Sequence, residues 1–419
     1  MGRNFTKTLA ALTLITLTVG CSKSSDEASV AVAKTLYAST GSCNAGAGAA
    51  LKATYTNANA TKTIEKFNSS NGANVGFLVD FTVSNFLAGM NPQKMIEAGD
   101  SIYVLMENPT TTTERSILKM PKADPLSYVK YYTNITSLST GVRDFSLDAD
   151  GSFLVSLQTK IEKINSQPVR VPAGANPWVN APLGTCAASA TGMSAVAVMK
   201  PFAPAINGKI IYAHQGFTGA FGAAQQRLGI TSANGYFAAA DCVIGVQISA
   251  VAHTRAASSS SSGAIVFNAN GTSPTAMVYI SEPVGSAVTG KLIVAYSNDQ
   301  VGNNAAGVYN LNHGIVQWDV TETSATVATL TNPVLLYDNI SVVYGISAMT
   351  YDADTKSLYV ATGGEPGAAD MSTNNVGYNI EKFTLDTATP LLTRVHVANN
   401  PFIKGAANTK CISGLMLGN

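Results

Sequence analysis

Two Asp-Ala-Asp triplets, Asp148 to Asp150 and Asp352 to Asp354, have a spacing that suggests chemistry. Alternating carboxylates can hold calcium, but a loop of the EF-hand kind needs further oxygen ligands and a distal Glu, which neither segment supplies. Each triplet runs into a turn residue, Gly151 or Thr355, so the expected role is a hairpin turn in which Asp caps its own backbone. A second acidic group is Glu97, Asp144 and Glu282, with Arg143 beside Asp144. Carboxylates that converge on one point could hold a divalent cation for hydrolysis or elimination. Three acids scattered along the chain do not define such a site, and Arg143-Asp144 reads as a local ion pair or a polar group at a channel mouth. Of four histidines, His214 and His313 flank long loops, whereas His253 and His396 have no evident catalytic context. No Ser or Cys stands in a Gly-x-Ser-x-Gly context, so a His-based triad has no nucleophile. No catalytic residue, metal or cofactor is therefore assigned.

Of five cysteines, Cys21 stands apart. Met1 to Cys21 has Arg3 and Lys7, an apolar stretch from Leu9 to Val19, then Gly20-Cys21, the layout of a secretion signal. Leu17-Thr18-Val19-Gly20-Cys21 resembles a bacterial lipobox, with Thr18 where the family usually has Leu. The resemblance implies cleavage after Gly20 and a lipid on Cys21, with residues 21–34 as a tether. A neutral residue at Ser22 resembles the outer-membrane sorting pattern of Gram-negative lipoproteins. Cys43, Cys186, Cys242 and Cys411 remain, an even number that allows two disulfides in any of three connectivities.

The chain is 46% hydrophobic and 12% charged, half of the usual charged fraction of about 25%. Its solubility rests on Ser, Thr, Asn and Gly. Removing residues 1–20 leaves 24 cations against 25 acids, which lacks the electrostatic footprint of a nucleic-acid binder. Helix-period runs are scarce, and short β-branched segments recur instead. Six of them share one pattern: Thr35 to Thr40, Ser101 to Met106, Ser152 to Leu157, Lys209 to His214, Lys291 to Tyr296 and Ser357 to Thr362. Turn residues stand upstream of five, as Gly99-Asp100, Asp150-Gly151, Asn207-Gly208, Thr289-Gly290 and Asp354-Thr355, so each closes a hairpin onto a preceding strand. A third strand follows each, least regular at Arg227 to Ile230. Ile64 with Phe67, Ile161 with Ile164, Ile315 with Trp318 and Ile380 with Phe383 place apolar groups on both of its faces.

Four strands per unit, repeated six times, make the chain similar to secreted six-bladed β-propellers over residues 35–419, with no family-defining signature. The first unit lacks a hairpin partner. Cys411 to Leu417, which is similar to Gly345 to Tyr351, is expected to supply it, closing the ring and making Cys43 and Cys411 disulfide partners, which leaves Cys186 for Cys242. Five of the six loops between second and third strands are long. They or their flanks carry Tyr55, His214, Phe217, Phe221, Asp299, Tyr309, His313 and Tyr378, the candidate binding face. The functional expectation is a lipid-anchored, outer-membrane binding or scaffolding module for an envelope protein or glycan, facing the periplasm or the cell surface. The alternative is a metal-dependent propeller hydrolase or lyase with its site at the central channel.

Overall fold

The structure is a computed structural model that describes residues 34–41, 62–81, 90–107, 115–133, 144–148, 150–156, 160–165, 170–171, 179–180, 190–198, 210–216, 227–231, 254–255, 265–266, 273–283, 288–297, 314–322, 328–338, 346–363, 378–396, 402–404 and 411–418. Strands β1 (Thr35–Gly41), β2 (Thr63–Asn68) and β3 (Asn74–Asp80) lie antiparallel in one sheet. A second sheet follows with β4 (Asn91–Ala98), β5 (Ser101–Glu107), β6 (Arg115–Pro121) and β7 (Val129–Thr133). The third holds β8 (Asp144–Leu147), β9 (Phe153–Ser156) and β10 (Lys160–Ile164), whose other edge takes β11 (Arg170–Val171) and β12 (Val179–Asn180). Next come β13 (Ala190–Val198), β14 (Ile210–Gly216) and β15 (Arg227–Thr231), then a small pair, β16 (Thr254–Arg255) and β17 (Ile265–Val266). The following sheet is β18 (Ser273–Ser281), β19 (Gly290–Ser297), β20 (Gly314–Glu322) and β21 (Ala328–Asp338). After it come β22 (Ile346–Asp352), β23 (Ser357–Gly363), β24 (Tyr378–Asp386) and β25 (Leu391–Arg394), with β26 (Ile403–Lys404) also on β24. The last strand, β27 (Cys411–Gly418), returns to pair with β1, Thr35 opposite Gly418 and Gly41 opposite Cys411.

This is an all-β, β-propeller architecture. Five sheets hold four or more strands, and the sheet of β13–β15 holds three among the described residues, so the expected six four-stranded blades are corrected to five. The shortfall falls on the unit with the weakest third strand, where Gly229 in β15 offers no side chain for packing. The eleven-residue β21, by contrast, was not expected from the sequence.

Turn chemistry explains the hairpins. Gly99 and Gly151 take φ of 61° and 81°, as expected of tight-turn residues. In the turn after β22 the left-handed residue is Lys356, φ 51°, rather than Asp354 or Thr355. Gly290 belongs to β19, and a side chain there would collide with the Tyr279 ring, so space rather than φ selects glycine. Asn207-Gly208 lies outside the described residues.

Neighbouring sheets pack face to face through apolar side chains. Ile64, Met95, Val104 and Met416 join the β1 and β4 sheets, Tyr103, Phe145 and Phe153 join the β4 and β8 sheets, and Leu36, Phe67, Ile380 and Leu415 join the β1 and β22 sheets. Third strands are covered on both faces, as the spacing of Ile64 with Phe67 and Ile380 with Phe383 required. They also bury charge. Ile-Glu-Lys recurs at Ile64 to Lys66, Ile161 to Lys163 and Ile380 to Lys382, and Glu65, Glu162 and Glu381 are all buried. Each acid has a described partner: Asn74 Nδ2 lies 3.4 Å from Glu65, the Tyr132 hydroxyl lies 3.2 Å from Glu162, and His396 and Arg394 flank Glu381.

The Asp-Ala-Asp triplets prove to be turns held by lysine. Lys163 Nζ lies 2.6 Å from Asp148 Oδ2 and 2.7 Å from Asp150 Oδ2, while Lys34 Nζ lies 2.7 Å from Asp352 Oδ1 and 2.6 Å from Asp354 Oδ2. An ammonium thus sits between the carboxylates in each turn. Burial pushes the Asp150 and Asp352 carboxyls up, but hydrogen bonds led by the lysines outweigh it and hold both below 3.8. Lys163 is correspondingly held above 10.5, with burial opposing the two Asp contacts.

A depressed carboxyl stabilises the fold above its unfolded-state pKa and loses that contribution as pH falls through its folded-state value. The thermal midpoint is therefore expected to fall as pH drops below 3.8, and Lys163→Ala should flatten that dependence in a pH series of thermal melts. At neutral pH the same variant leaves the buried Asp148 without its ammonium and should cost about 2–4 kcal/mol in chemical denaturation.

Candidate functional site

The first strands β4, β8, β13, β18, β22 and β27 lie beside one another in that order. Five of them carry a register shift at one level. It falls between Pro92 and Met95, between Met193 and Val196, between Pro274 and Ala276, between Ile346 and Ala348, and at Ser413, where Thr40 and Ser39 face Ile412 and Gly414. A bulge re-aims the extra residue and increases local twist. Here the extra positions are Gln93 with Lys94, Ser194 with Ala195, Thr275, Ser347 and Ser413.

In the sheets whose side chains are described, those positions tie each first strand to the next. Ser347 Oγ donates to Ile412 O at 2.5 Å, and Ser413 Oγ donates to Pro92 O at 2.5 Å. Ser39 Oγ reaches Gln93 O at 3.0 Å from the second strand. Lys94 Nζ then meets Asp144 Oδ1 at 2.8 Å, carrying the chain of contacts from β4 to β8. Gly414 has no room for a side chain, because a Cβ would fall on Gln93 O and Ser39 Oγ. Nearby, Thr40 and Thr63 share a 2.7 Å hydroxyl bond, and Asn91 is buried. The result is a polar collar on the end of the first strands nearest the loops between second and third strands. Within it, Gln93 Nε2 is buried and meets no hydrogen-bonding atom of the described protein. Buried amide donors are nearly always satisfied, which makes this one an exception.

Of the residues singled out in the sequence, Asp144 belongs to the collar. It meets Lys94, and Arg143 lies outside the described residues. Glu97 and Glu282 do not join it. Both stand at the opposite ends of β4 and β18, where Glu97 meets Lys122 Nζ at 2.5 Å and the Glu282 N–H donates to Thr289 O. The three carboxylates therefore do not converge. His214 lies on β14 opposite Met193, Tyr378 opens β24 opposite Gly363, and Cys411 opens β27 opposite Gly41. Tyr55, Phe217, Phe221, Asp299, Tyr309, His253, His313, Cys21, Cys43, Cys186 and Cys242 lie outside the described residues. His396 is far from the collar, on the Glu381 carboxylate.

Sequence reasoning missed Gln93, Lys94, Ser347 and Ser413. A signal for two of them was present in the likeness of Cys411 to Leu417 to Gly345 to Tyr351, which places Ser413 over Ser347.

No protein-family model matches the chain, and no curated protein matches it. Among solved structures it is similar to a protein of unknown function from Bacteroides caccae, at TM-score 0.47 and 10% identity over 92% of this chain and 98% of that one. It is also similar to the periplasmic gluconolactonase of Pseudomonas aeruginosa, at TM-score 0.43 and 12% identity over 87% and 82%. A third is a putative 6-phosphogluconolactonase from Bacteroides fragilis, at TM-score 0.40 and 14% identity over 94% and 100%.

Two substitutions test the collar's architecture. Ser413→Ala removes one hydroxyl bond and should cost about 1 kcal/mol. Gly414→Ala forces β27 away from β4 and should cost about 1–3 kcal/mol. Urea denaturation of the two variants should rank them in that order.

Proposed function

We propose that the chain is a lipid-anchored envelope protein whose propeller binds a protein or glycan partner over the end bearing the long loops, with the collar as the floor of that surface. The observation that carries the binding role is the buried, unpartnered Gln93 amide set among neutral hydroxyls. It leaves one hydrogen-bond donor without a protein acceptor at the loop end of β4. The separation of Glu97 and Glu282 from Asp144 weighs against the metal-dependent hydrolase or lyase. The lipobox-like Leu17 to Cys21 supports attachment at Cys21, and Ser22 supports the outer membrane.

The ring is proposed to close through the sheet that joins both chain ends. The β1–β27 pairing supports this, as does the contact of β27 with both β4 and β22. The register that sets Cys411 opposite Gly41, two residues before Cys43, supports a Cys43–Cys411 disulfide, with Cys186–Cys242 as the second.

Two experiments test the proposal. Mass spectrometry of membrane-purified protein should find an acylated Cys21 peptide and, without reduction, a Cys43–Cys411 linked peptide; an unmodified Cys21 removes the anchor. For the binding face, p-benzoylphenylalanine replaces Tyr309 or Tyr378 in cells. Light-dependent adducts at these positions, and none at Thr331 of β21, support a partner on the loop end. Equal yields at all three positions overturn it.

A further inference from the structure

We infer that the fourth strands of three consecutive sheets form a membrane-docking edge that lays this side of the propeller on the bilayer surface. The inference rests on the lipid anchor proposed above. The large apolar side chains that are exposed among the described residues are Val75, Phe77, Leu126, Val129, Leu391 and Val395. All six belong to, or directly flank, β3, β7 and β25, the outermost strands of the sheets built on β1, β4 and β22. These sheets are neighbours, since β27 packs against both β22 and β4. Phe77 is 55% exposed and Leu126 is 72% exposed, in a chain whose cores elsewhere are buried to within a few per cent.

Three of these segments begin near the turn end of their sheets, while Phe77 and Val395 stand nearer mid-strand, opposite Glu65 and Lys382. Asn74, which precedes Val75, faces Phe67 near the far end of β2; Val129 faces Lys119 near the far end of β6; and Leu391 faces Asp386 at the far end of β24. The three positions therefore cluster toward the end of the propeller that carries the hairpin turns, opposite the collar. Lys34 is at the same end, because its carbonyl accepts from the Ser69 N–H and its ammonium holds the Asp352–Asp354 turn. The chain preceding Lys34 thus leaves from the turn end of the middle sheet of the three. From a lipid at Cys21 it reaches at most about 45 Å, which keeps this edge close to the bilayer.

Exposed apolar groups on the outermost strands need a cover, since an exposed edge invites association with other chains. A lipid surface supplies one for a tethered molecule. The charges around the patch are mixed, with Lys122 paired to Glu97 and Lys34 to two Asp residues, so docking is expected to be apolar and insensitive to salt. A docked turn end leaves the collar and its loops facing away from the membrane.

The test uses the full native lipoprotein, purified from membranes and reconstituted in phosphatidylethanolamine and phosphatidylglycerol vesicles with a diazirine-bearing phospholipid. After illumination, lipid adducts are mapped by peptide mass spectrometry. Adducts are expected on peptides containing Val75 to Phe77, Leu126 to Val129 and Leu391 to Val395, with yields unchanged by salt. Leu126→Ser with Val129→Ser should lower the adduct yield on the β7 peptide by about tenfold while leaving the thermal midpoint unchanged. Acylated Cys21 without adducts on these strands overturns the docking edge and leaves the anchor standing; absence of acyl on Cys21 removes the anchor itself. Adducts concentrated on the loop end, or protein–protein links through these strands, also overturn it, the latter by assigning the edge to a second copy.

Discussion

Everything in this fold depends on the pairing of its two ends. Ser39 and Ser413 meet at 3.1 Å although 374 positions separate them. Around that contact β27 satisfies one edge of β1, while Gly414 lets β27 come against the backbone of β4. Without β27, β1 would be an open edge, and Leu36, Ala38 and Ile380 would lose Ile412 and Leu415 from their shared core. A contact of this sequence separation is reached late, because its loop-closure entropy is compensated only when the sheets between are in place. The stability of each sheet is therefore shared with its neighbours rather than held alone.

The low charge of the chain gives its few buried ions unusual structural weight. Lys163 and Lys34 each bridge two turn carboxylates, whereas Lys382 is held by a backbone carbonyl and two rings. Its ammonium donates to Ser69 O at 2.9 Å and lies over the Tyr359 and Phe402 rings, and burial lowers its pKa. Tyr359, its hydroxyl pushed up to about 12 chiefly by burial, donates to the same carbonyl. Two side chains of the β22 sheet thus converge on one backbone oxygen of the β1 sheet. An apolar pair could bury similar area, but it would not fix the angle between sheets so narrowly, because hydrogen bonds weaken steeply with misalignment.

The sequence exposed the strands because their alternation and turn residues are local facts. β1, β5 and β23 fall within a residue or two of where Thr35, Ser101 and Ser357 led one to place them. The pairing of β27 with β1 was also legible, since Cys411 to Leu417 is similar to a first strand and Thr35 lacked a partner. The β13 sheet, three-stranded among the described residues, was not, because Arg227 to Ile230 matches the third-strand pattern only weakly. The collar was hidden for a different reason. Gln93, Lys94 and Ser413 acquire their role through a one-residue bulge, and a bulge changes the face of a side chain without changing the composition of its strand. Asp144 was found as an acid, yet its partner Lys94 lies on another strand, fifty positions away, where sequence proximity gives no hint of the contact.

The bulges also bear on where function can sit. Five first strands share a register shift at one level, and in β22, β27 and β4 the residues there reach across to the neighbouring sheet. The Ser347 and Ser413 hydroxyls there are spent on backbone carbonyls, which fixes the collar in place. At the other end, tight turns and lysine-held carboxylates leave little room for variation in length. A change in a loop between second and third strands can alter contacts above the collar without disturbing a single inter-sheet tie below it. Rigid frame and loop-bearing end are thereby separated along the axis of the strands, and loop sequence can change while the pairing of β1 with β27 stays as it is.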